Sequence, residues 1–208
     1  MKNRRVLAVL LAVAVMLAMM PAMAFADTTA TAPETAPTAP AKSNDIVILG
    51  TSDVHCGIDQ NIGYAGLAAY KKAMGEKYNY VALVDAGDAI QGDTIGTLSK
   101  GEYLVDIMNE VGYDVVVPGN HEFDYGMDQF LNVIVPKMKA TYVSANFVKN
   151  GKPVFDTYKM MTYGDKKVAF VGICTPETLV KSTPTYFQDK YGNYIYDFCN
   201  DTTGDKLY

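Results

Sequence analysis

Short apolar runs separated by segments of helical periodicity constrain the fold of this chain more than any other feature of its sequence. Such runs, ending at polar or glycine residues, are typical of strands buried on both faces. They occupy residues 46–49, 81–84, 115–117, 142–145 and 168–173. Between them, apolar residues recur with helical spacing over residues 63–74, 104–111 and 127–138. This alternation predicts an α/β fold with a mostly parallel sheet and flanking helices.

The helical segments carry two further signals. Ser99 and Glu102 have the spacing of a capping box ahead of the segment 104–111. Pro136 should kink or end the helix predicted over residues 127–138, because proline lacks the backbone N–H that continues a helix.

The N-terminus has the three parts of a secretory signal peptide. A basic segment from Lys2 to Arg5 precedes fifteen uncharged residues, and residues 24–26 read Ala-Phe-Ala. Those fifteen residues fall short of the ~20 needed to span a bilayer, which disfavours a membrane anchor. We therefore expect residues 1–26 to be a signal peptide cleaved after Ala26. The mature chain would be extracytoplasmic, meaning secreted, periplasmic or associated with the cell wall.

Residues 27–44 are rich in Thr, Ala and Pro, and the triplet Thr-Ala-Pro occurs there three times. The segment has too little apolar surface to offset the entropy of ordering, so we predict a flexible linker. Residues 45–208 are long enough for one domain with its own core.

The charge of the chain argues against a nucleic-acid-binding surface. The formal net charge is −5, from 18 basic and 23 acidic residues. Three of the basic residues and none of the acidic ones lie in residues 1–26, so the remainder carries −8. A body this acidic repels a phosphate backbone.

The three cysteines, Cys56, Cys174 and Cys199, do not indicate a disulfide scaffold, because their number is odd. Export permits one bridge, for which Cys174 and Cys199 are the obvious pair, but free thiols are the favoured interpretation. Cys56, beside His55, is interpreted either as a buried thiol or as a soft contact outside a metal site.

Polar side chains of metal-binding type follow the first three predicted strands. Asp53 and His55 follow the first strand, Asp88 the second, and Asn120 and His121 the third. Ligands of open α/β sheets bind beyond the carboxyl ends of the strands, so these side chains should share one edge. Both histidines of the chain lie in these loops.

Each loop also has a purely structural interpretation. Asp-x-His is a common pattern, and Gly87-Asp88 is a typical turn pair, because both residues tolerate a left-handed backbone. Asn120 as a turn residue and Asp124 as a helix N-cap would explain two positions of the third loop. That interpretation leaves His121, between them, without a role.

The motifs resemble those of the calcineurin-like metallophosphoesterases. They are Asp53-x-His55, Gly87-Asp88-x-x-Gln91-Gly92 and Gly119-Asn120-His121-Glu122-x-Asp124. With Ser-Ala-Asn at residues 144–146, they are similar to the branch of secreted 5′-nucleotidases and 2′,3′-cyclic-nucleotide phosphodiesterases. The resemblance spans about residues 46–184 and implies the N-terminal half of a metallophosphatase-type α/β sandwich.

The resemblance implies two divalent metal ions. Asp53 and His55 would hold the first ion, Asp88 would bridge both, and Asn120 would bind the second. Mixed carboxylate and imidazole ligands suit Zn²⁺, Mn²⁺ or Fe²⁺ rather than Ca²⁺. Such a pair clamps a phosphoryl group and activates a water for in-line attack.

The resemblance also implies catalytic roles for His121 and Asp124. His121 would stabilise the transition state or protonate the leaving oxygen, and Asp124 would orient its imidazole. The substrate implied is a nucleotide or another small phosphoester.

Downstream, the sequence departs from this family. Its members supply two further histidine ligands and a Gly-His-x-His/Gln block, whereas this chain has only two histidines in all. We therefore expect an incomplete phosphatase domain whose partner is a missing C-terminal half, with an exposed sheet edge. The alternatives are a non-catalytic remnant that binds a metal or a partner, and a wall-tethered interaction module with vestigial motifs.

Overall fold

A computed structural model describes residues 40–198. The predicted signal peptide, most of the predicted linker and Cys199 lie outside these described residues. The regular elements, in chain order, are β1 (Ser43–Thr51), α1 (Gly63–Lys77), β2 (Tyr78–Asp85), α2 (Thr94–Ser99), α3 (Glu102–Val111), β3 (Val115–Val116), a 3₁₀ turn (His121–Phe123), α4 (Met127–Gln129), a π-helical stretch (Phe130–Ile134), α5 (Val135–Lys137), β4 (Thr141–Tyr142), β5 (Val148–Lys149), β6 (Lys152–Pro153), β7 (Tyr158–Tyr163), β8 (Lys166–Val171), α6 (Thr178–Lys181), a second 3₁₀ turn (Pro184–Phe187) and β9 (Tyr196–Asp197).

The first four strands form a parallel sheet in the order β1-β2-β3-β4, which confirms the predicted α/β class. Leu49 pairs with Leu83, and Val115 pairs with both Val84 and Thr141. The prediction that the first strand is buried on both faces is wrong. Among the described strands β1 pairs only with β2, and Ile48 is half exposed at this edge.

The fifth apolar run does not join the parallel sheet. It forms β8, which pairs with β7 as an antiparallel hairpin, and β5, β6 and β9 make a small antiparallel sheet. The physical reason is the connection between β7 and β8, which consists of Gly164 and Asp165 alone. A parallel pair needs a crossover of a dozen residues or more, whereas two residues suffice for a hairpin.

The helices begin and end at somewhat different residues from those predicted. The capping box is wrong: Ser99 ends α2, and α3 begins after Gly101, which has a left-handed backbone. The Ser99 hydroxyl accepts from the N–H of Tyr103 at 3.2 Å. The helical segment that begins at Met127 widens into a π-helical stretch before Pro136 and ends one residue after it, as expected of a proline. Within residues 40–198, no helix has the length and apolarity to cross a bilayer.

The first strand extends into the predicted linker. Strand β1 starts at Ser43, inside the predicted linker, and Ser43 pairs with Tyr78. The Asn79 amide donates to Asn44 Oδ1 at 2.8 Å. These contacts extend the strand beyond its apolar run.

The aromatic core lies directly beneath the third loop. Phe123 is fully buried, and four phenylalanine rings surround it at centroid distances of 5.0–5.8 Å: Phe130, Phe147, Phe187 and Phe198. Because Phe123 is two residues from His121, this packing fixes the turn that carries the histidine.

Candidate active site

The three predicted loops meet at the carboxyl ends of β1, β2 and β3. The N–H of Asp53 donates to Gly87 O at 3.0 Å, and that of His55 donates to Asp88 O at 2.9 Å. Asp53, His55 and Asp88 have φ values of 53°, 47° and 58°. A left-handed backbone costs a non-glycine residue roughly 1–2 kcal/mol, and such strain is concentrated at functional sites.

Two motif glycines allow the second and third loops to approach each other. A Cβ on Gly119 would lie 2.3 Å from Asp88 Oδ1, and a Cβ on Gly87 would lie 2.3 Å from the Gly119 nitrogen. Gly87 also has a φ of +97°. Any larger side chain at either position would push the loops apart and displace Asp88.

Three ligand side chains come together at this edge. His55, Asp88 and His121 offer ligand atoms that all lie within 4.8 Å of one another. His55 Nδ1 is 3.1 Å from the Gln91 carbonyl oxygen. A carbonyl only accepts, so Nδ1 carries the proton and Nε2 keeps the lone pair that a metal requires. Two imidazoles and a carboxylate fit a divalent transition metal such as Zn²⁺, Mn²⁺ or Fe²⁺.

The other two predicted ligands lie in the same loops, and Asp53 is not one of that group of three. The Asp53 carboxylate accepts a hydrogen bond from the Ser52 hydroxyl. Asp53 also lines a cleft of about 270 Å³, together with Thr51 and Gln60. Asn120 immediately precedes the 3₁₀ turn that carries His121. Metal binding by Asp53 and Asn120 therefore stays a prediction.

His121 is oriented by Asp124. Its Nδ1 lies 2.6 Å from Asp124 Oδ2, so Nε2 is the nitrogen left for a ligand or a substrate. The His121 ring is 5.0 Å from the His55 ring, edge to face. Burial lowers the pKa of His121, but the hydrogen bond and charge of Asp124, together with the charges of Asp88 and Glu122, outweigh burial and raise the pKa above its usual value. The contact is the one expected of an orienting carboxylate; the catalytic role of the pair stays a prediction.

Glu122 is a residue of the site for which the sequence suggested no role. Its carboxylate is 2% exposed and accepts from the N–H groups of Asp88, Ala89 and Gly119 at 2.8, 2.9 and 2.6 Å. Burial raises the pKa of Glu122 despite these donors. The carboxylate thus ties the second loop to the third. The sequence places Glu122 in the motif of the third loop, directly before a core phenylalanine, but does not show that its carboxylate is buried.

A second buried carboxyl lies beneath the loops. Asp85 ends β2, and its two oxygens accept from the Thr51 hydroxyl at 2.5 Å and from the Gly87 N–H at 2.9 Å. The Tyr113 hydroxyl is 3.0 Å from that of Thr51. Burial raises the pKa of Asp85 to about 7. The sequence shows that Asp85 lies at the end of a predicted strand, but it does not show that the side chain is buried.

The Ser-Ala-Asn segment has a structural role in the core. The buried Asn146 amide donates to Cys174 O at 2.7 Å and accepts from the Cys174 N–H at 2.9 Å. Within the described residues Cys56 and Cys174 are buried free cysteines. Burial raises the pKa of Cys56 to about 11 and that of Cys174 to about 12, so neither is a reactive thiolate near neutral pH. The proposed bridge partner, Cys199, lies outside the described range.

Comparisons with known proteins agree with this geometry. The profile of the calcineurin-like phosphoesterases matches residues 46–201. The snake venom 5′-nucleotidase of Gloydius brevicauda is 32% identical over 163 residues, which cover 69% of this chain and 28% of that protein. The 5′-nucleotidase of Bos taurus is 31% identical over 164 residues, with coverages of 69% and 29%.

Among solved structures, the NAD nucleotidase of Haemophilus influenzae aligns with a TM-score of 0.64 and 23% identity, covering 75% of this chain and 30% of that one. The chain thus spans less than a third of the length of these relatives. The parallel sheet, the three loops and the profile match over most of the sequence lead to the same conclusion. The chain belongs to the calcineurin-like phosphoesterase family.

Proposed function

We propose that this chain is the metal-binding N-terminal part of an exported phosphoesterase that hydrolyses nucleotides, as a 5′-nucleotidase does. The observation that carries the proposal is the Asp124–His121 pair beside His55 and Asp88. Phosphoester hydrolysis needs positive charge at the phosphoryl oxygens and a proton for the leaving oxygen. This edge of the sheet offers metal ligands, which would supply the positive charge, and a histidine that can donate the proton.

We propose that four residues hold two divalent metal ions, Zn²⁺, Mn²⁺ or Fe²⁺: Asp53, His55, Asp88 and Asn120. Such ions, when bound, supply charge stabilisation and a water of lowered pKa. Asp88 is suited to bridging because its Oδ1 is already held by the N–H of His121 at 2.7 Å, which limits rotation of the carboxylate.

His121 contributes a proton at Nε2. Asp124 accepts the hydrogen bond from Nδ1 and favours the imidazolium, as the raised pKa of His121 indicates. An imidazolium held in this way donates from Nε2 to the leaving oxygen, and general acid catalysis of this kind contributes roughly 10²–10⁴-fold. Partial exposure of both side chains keeps that nitrogen accessible to a substrate.

We propose that further protein completes the site and covers the hairpin. Tyr158, Met160 and Val171 lie on one face of the β7–β8 hairpin and are 51%, 49% and 60% exposed. A contiguous apolar face of this kind marks a surface for another protein segment. The greater length of the relatives supports the same proposal.

The substrate class and the location complete the proposal. The relatives are named for nucleotide hydrolysis, and the acidic body favours a small phosphoester over a nucleic acid. Residues 1–26 would direct the enzyme out of the cytoplasm.

Phosphate release from AMP, with Mn²⁺ or Zn²⁺ supplied, tests the proposal. We expect the 208-residue chain to bind metal but to turn over slowly, because misplacement of reacting groups by ~1 Å costs ~100-fold. His121→Ala should abolish most of the hydrolysis. Although its ring lies within metal-binding reach of His55 and Asp88, we assign Nε2 to the leaving oxygen and not to a metal, so the metal content should stay unchanged. Ser99→Ala, which removes a hydroxyl outside the site's hydrogen bonds, is the control and should change neither.

Two outcomes would contradict the proposal. Equal, measurable hydrolysis by the wild type and His121→Ala, each with the missing part restored, would exclude His121 as the acid. Metal binding with no hydrolysis that depends on His121, even after the missing part is restored, would favour the non-catalytic remnant. Sequencing the gene beyond codon 208 tests the fragment directly, because an in-frame Gly-His-x-His block is expected there.

A further inference from the structure

We propose that Ser182 is a positioning residue, which fixes the carboxylate of Asp124 and, through it, the ring of His121. This inference depends on the proposed function only for the reason why the orientation of His121 matters. The contacts themselves involve only protein atoms. Ser182 lies 58 positions from Asp124 in the chain, and no motif links the two residues.

The two oxygens of Asp124 have different partners. Ser182 Oγ donates to Oδ1 at 3.0 Å, and His121 Nδ1 lies 2.6 Å from Oδ2. The torsion angle that turns an aspartate carboxylate has a broad distribution. A single hydrogen bond would therefore leave the plane of the Asp124 carboxylate poorly defined. The second hydrogen bond holds that plane and therefore the direction in which the His121 ring points.

The chain on either side of Ser182 is anchored in the core. Its N–H donates to Thr178 O at 3.1 Å, which closes α6, and Thr178 is fully buried. On the other side, the fully buried ring of Phe187 lies 5.2 Å from that of Phe123. These anchors limit the movement of the Ser182 backbone, so less entropy is lost when its hydroxyl holds Asp124.

The hydroxyl also suits its position chemically. The side chains of Asp124 and His121 are 23% and 32% exposed, so water can compete for the free carboxylate oxygen. Ser182 takes the place of that water. Unlike a lysine or arginine, it adds no positive charge, so the negative charge of Asp124 stays available to the imidazole.

The test follows the ring N–H of His121 by proton NMR in the metal-free 208-residue chain. The chain has only two histidines, so the His121 signal is assigned by its loss in His121→Ala. We expect Ser182→Ala to speed exchange of the Nδ1 proton with water about tenfold or more, the factor that corresponds to losing one hydrogen bond to a charged group. Ser182→Thr, which keeps the hydroxyl, should restore slow exchange.

Ser99→Ala is the matched control, because it removes another partly buried serine hydroxyl that hydrogen-bonds only backbone groups. It should leave the His121 signal unchanged, even where thermal stability falls as much as in Ser182→Ala. Should Ser182→Ala not fold, Ser182→Cys keeps the volume, weakens the donor and should raise the exchange rate in the same direction.

Unchanged exchange in a folded Ser182→Ala or Ser182→Cys chain would overturn the proposal, as would equal changes in the Ser99→Ala control. A wild-type chain without a slowly exchanging His121 Nδ1 proton would also overturn it. The measurement uses neither metal nor substrate. Failure of the phosphoesterase proposal would therefore be seen separately, in phosphate release.

Discussion

Asp85→Asn should flatten the dependence of folding stability on pH and stabilise the protein at pH 8. The Asp85 carboxyl is 5% exposed, and burial raises its pKa to about 7 from the ordinary 3.8. Asparagine has the shape of the protonated acid but no ionisation. The variant therefore removes the cost of burying a charge while keeping the packing.

The sign and size follow from proton linkage. Between about pH 4 and pH 7 the folded state holds a proton that the unfolded state has released, so stability falls as the pH rises through this window. The stabilisation is fully present at pH values below the pKa of Asp85 in the unfolded chain. It is lost as the pH rises through the pKa of Asp85 in the folded protein. A shift of about 3 units at ~1.4 kcal/mol each amounts to about 4 kcal/mol, of which about 2.5 kcal/mol falls between pH 5 and pH 8.

The hydrogen bonds around Asp85 can survive the substitution. The Asn oxygen would accept from the Gly87 N–H, as Oδ1 does now at 2.9 Å. The Asn amide would donate to Thr51 Oγ1, whose own hydrogen would turn to the Tyr113 hydroxyl 3.0 Å away. The second amide hydrogen and the hydrogen of the Tyr113 hydroxyl gain no acceptor in this arrangement, but their cost is independent of pH and cancels in the comparison of pH 5 with pH 8.

Urea unfolding of the wild type and the variant at pH 5 and pH 8, both with EDTA, measures the effect. The difference in the free energy of unfolding between the two proteins should change by about 2.5 kcal/mol between these pH values. Asp165→Asn, in the exposed turn between β7 and β8, is the control and should track the wild type. Parallel pH curves for the wild type and Asp85→Asn would refute the assignment of a raised pKa to Asp85.

Three further results are expected. Phe123→Ala should lower the free energy of unfolding by about 3–5 kcal/mol in urea, because its fully buried ring contacts four others; a loss below about 1 kcal/mol would contradict its central place in the core. Glu122→Ala should reduce metal content after dialysis, because three loop amides lose their acceptor, whereas the exposed Glu102→Ala should not. Asp88→Asn should lose more metal than Asp53→Asn, since Asp88 is proposed to serve two ions; equal losses would contradict the bridge.

Local patterns account for what could be predicted of the fold and the site. The first two strands and helix α3 have apolar residues at strand or helix spacing within a few residues of one another, so each element is encoded locally. The loops after the strands could be placed at one edge because parallel strands end together. The hairpin β7–β8 was not predicted, because an apolar run does not show which strand pairs with it. The two-residue connection between the strands decides that pairing.

The sequence by itself determined the α/β class, the order of the three loops and the identity of the polar side chains in them, because these depend on residue types at short spacing. The tertiary structure alone decided which side chains meet. It buried Glu122 among loop amides, gave Asp85 an unusual pKa and brought Ser182 to Asp124 across 58 positions. Burial and long-range hydrogen bonds depend on how separate elements pack, and no local pattern encodes them.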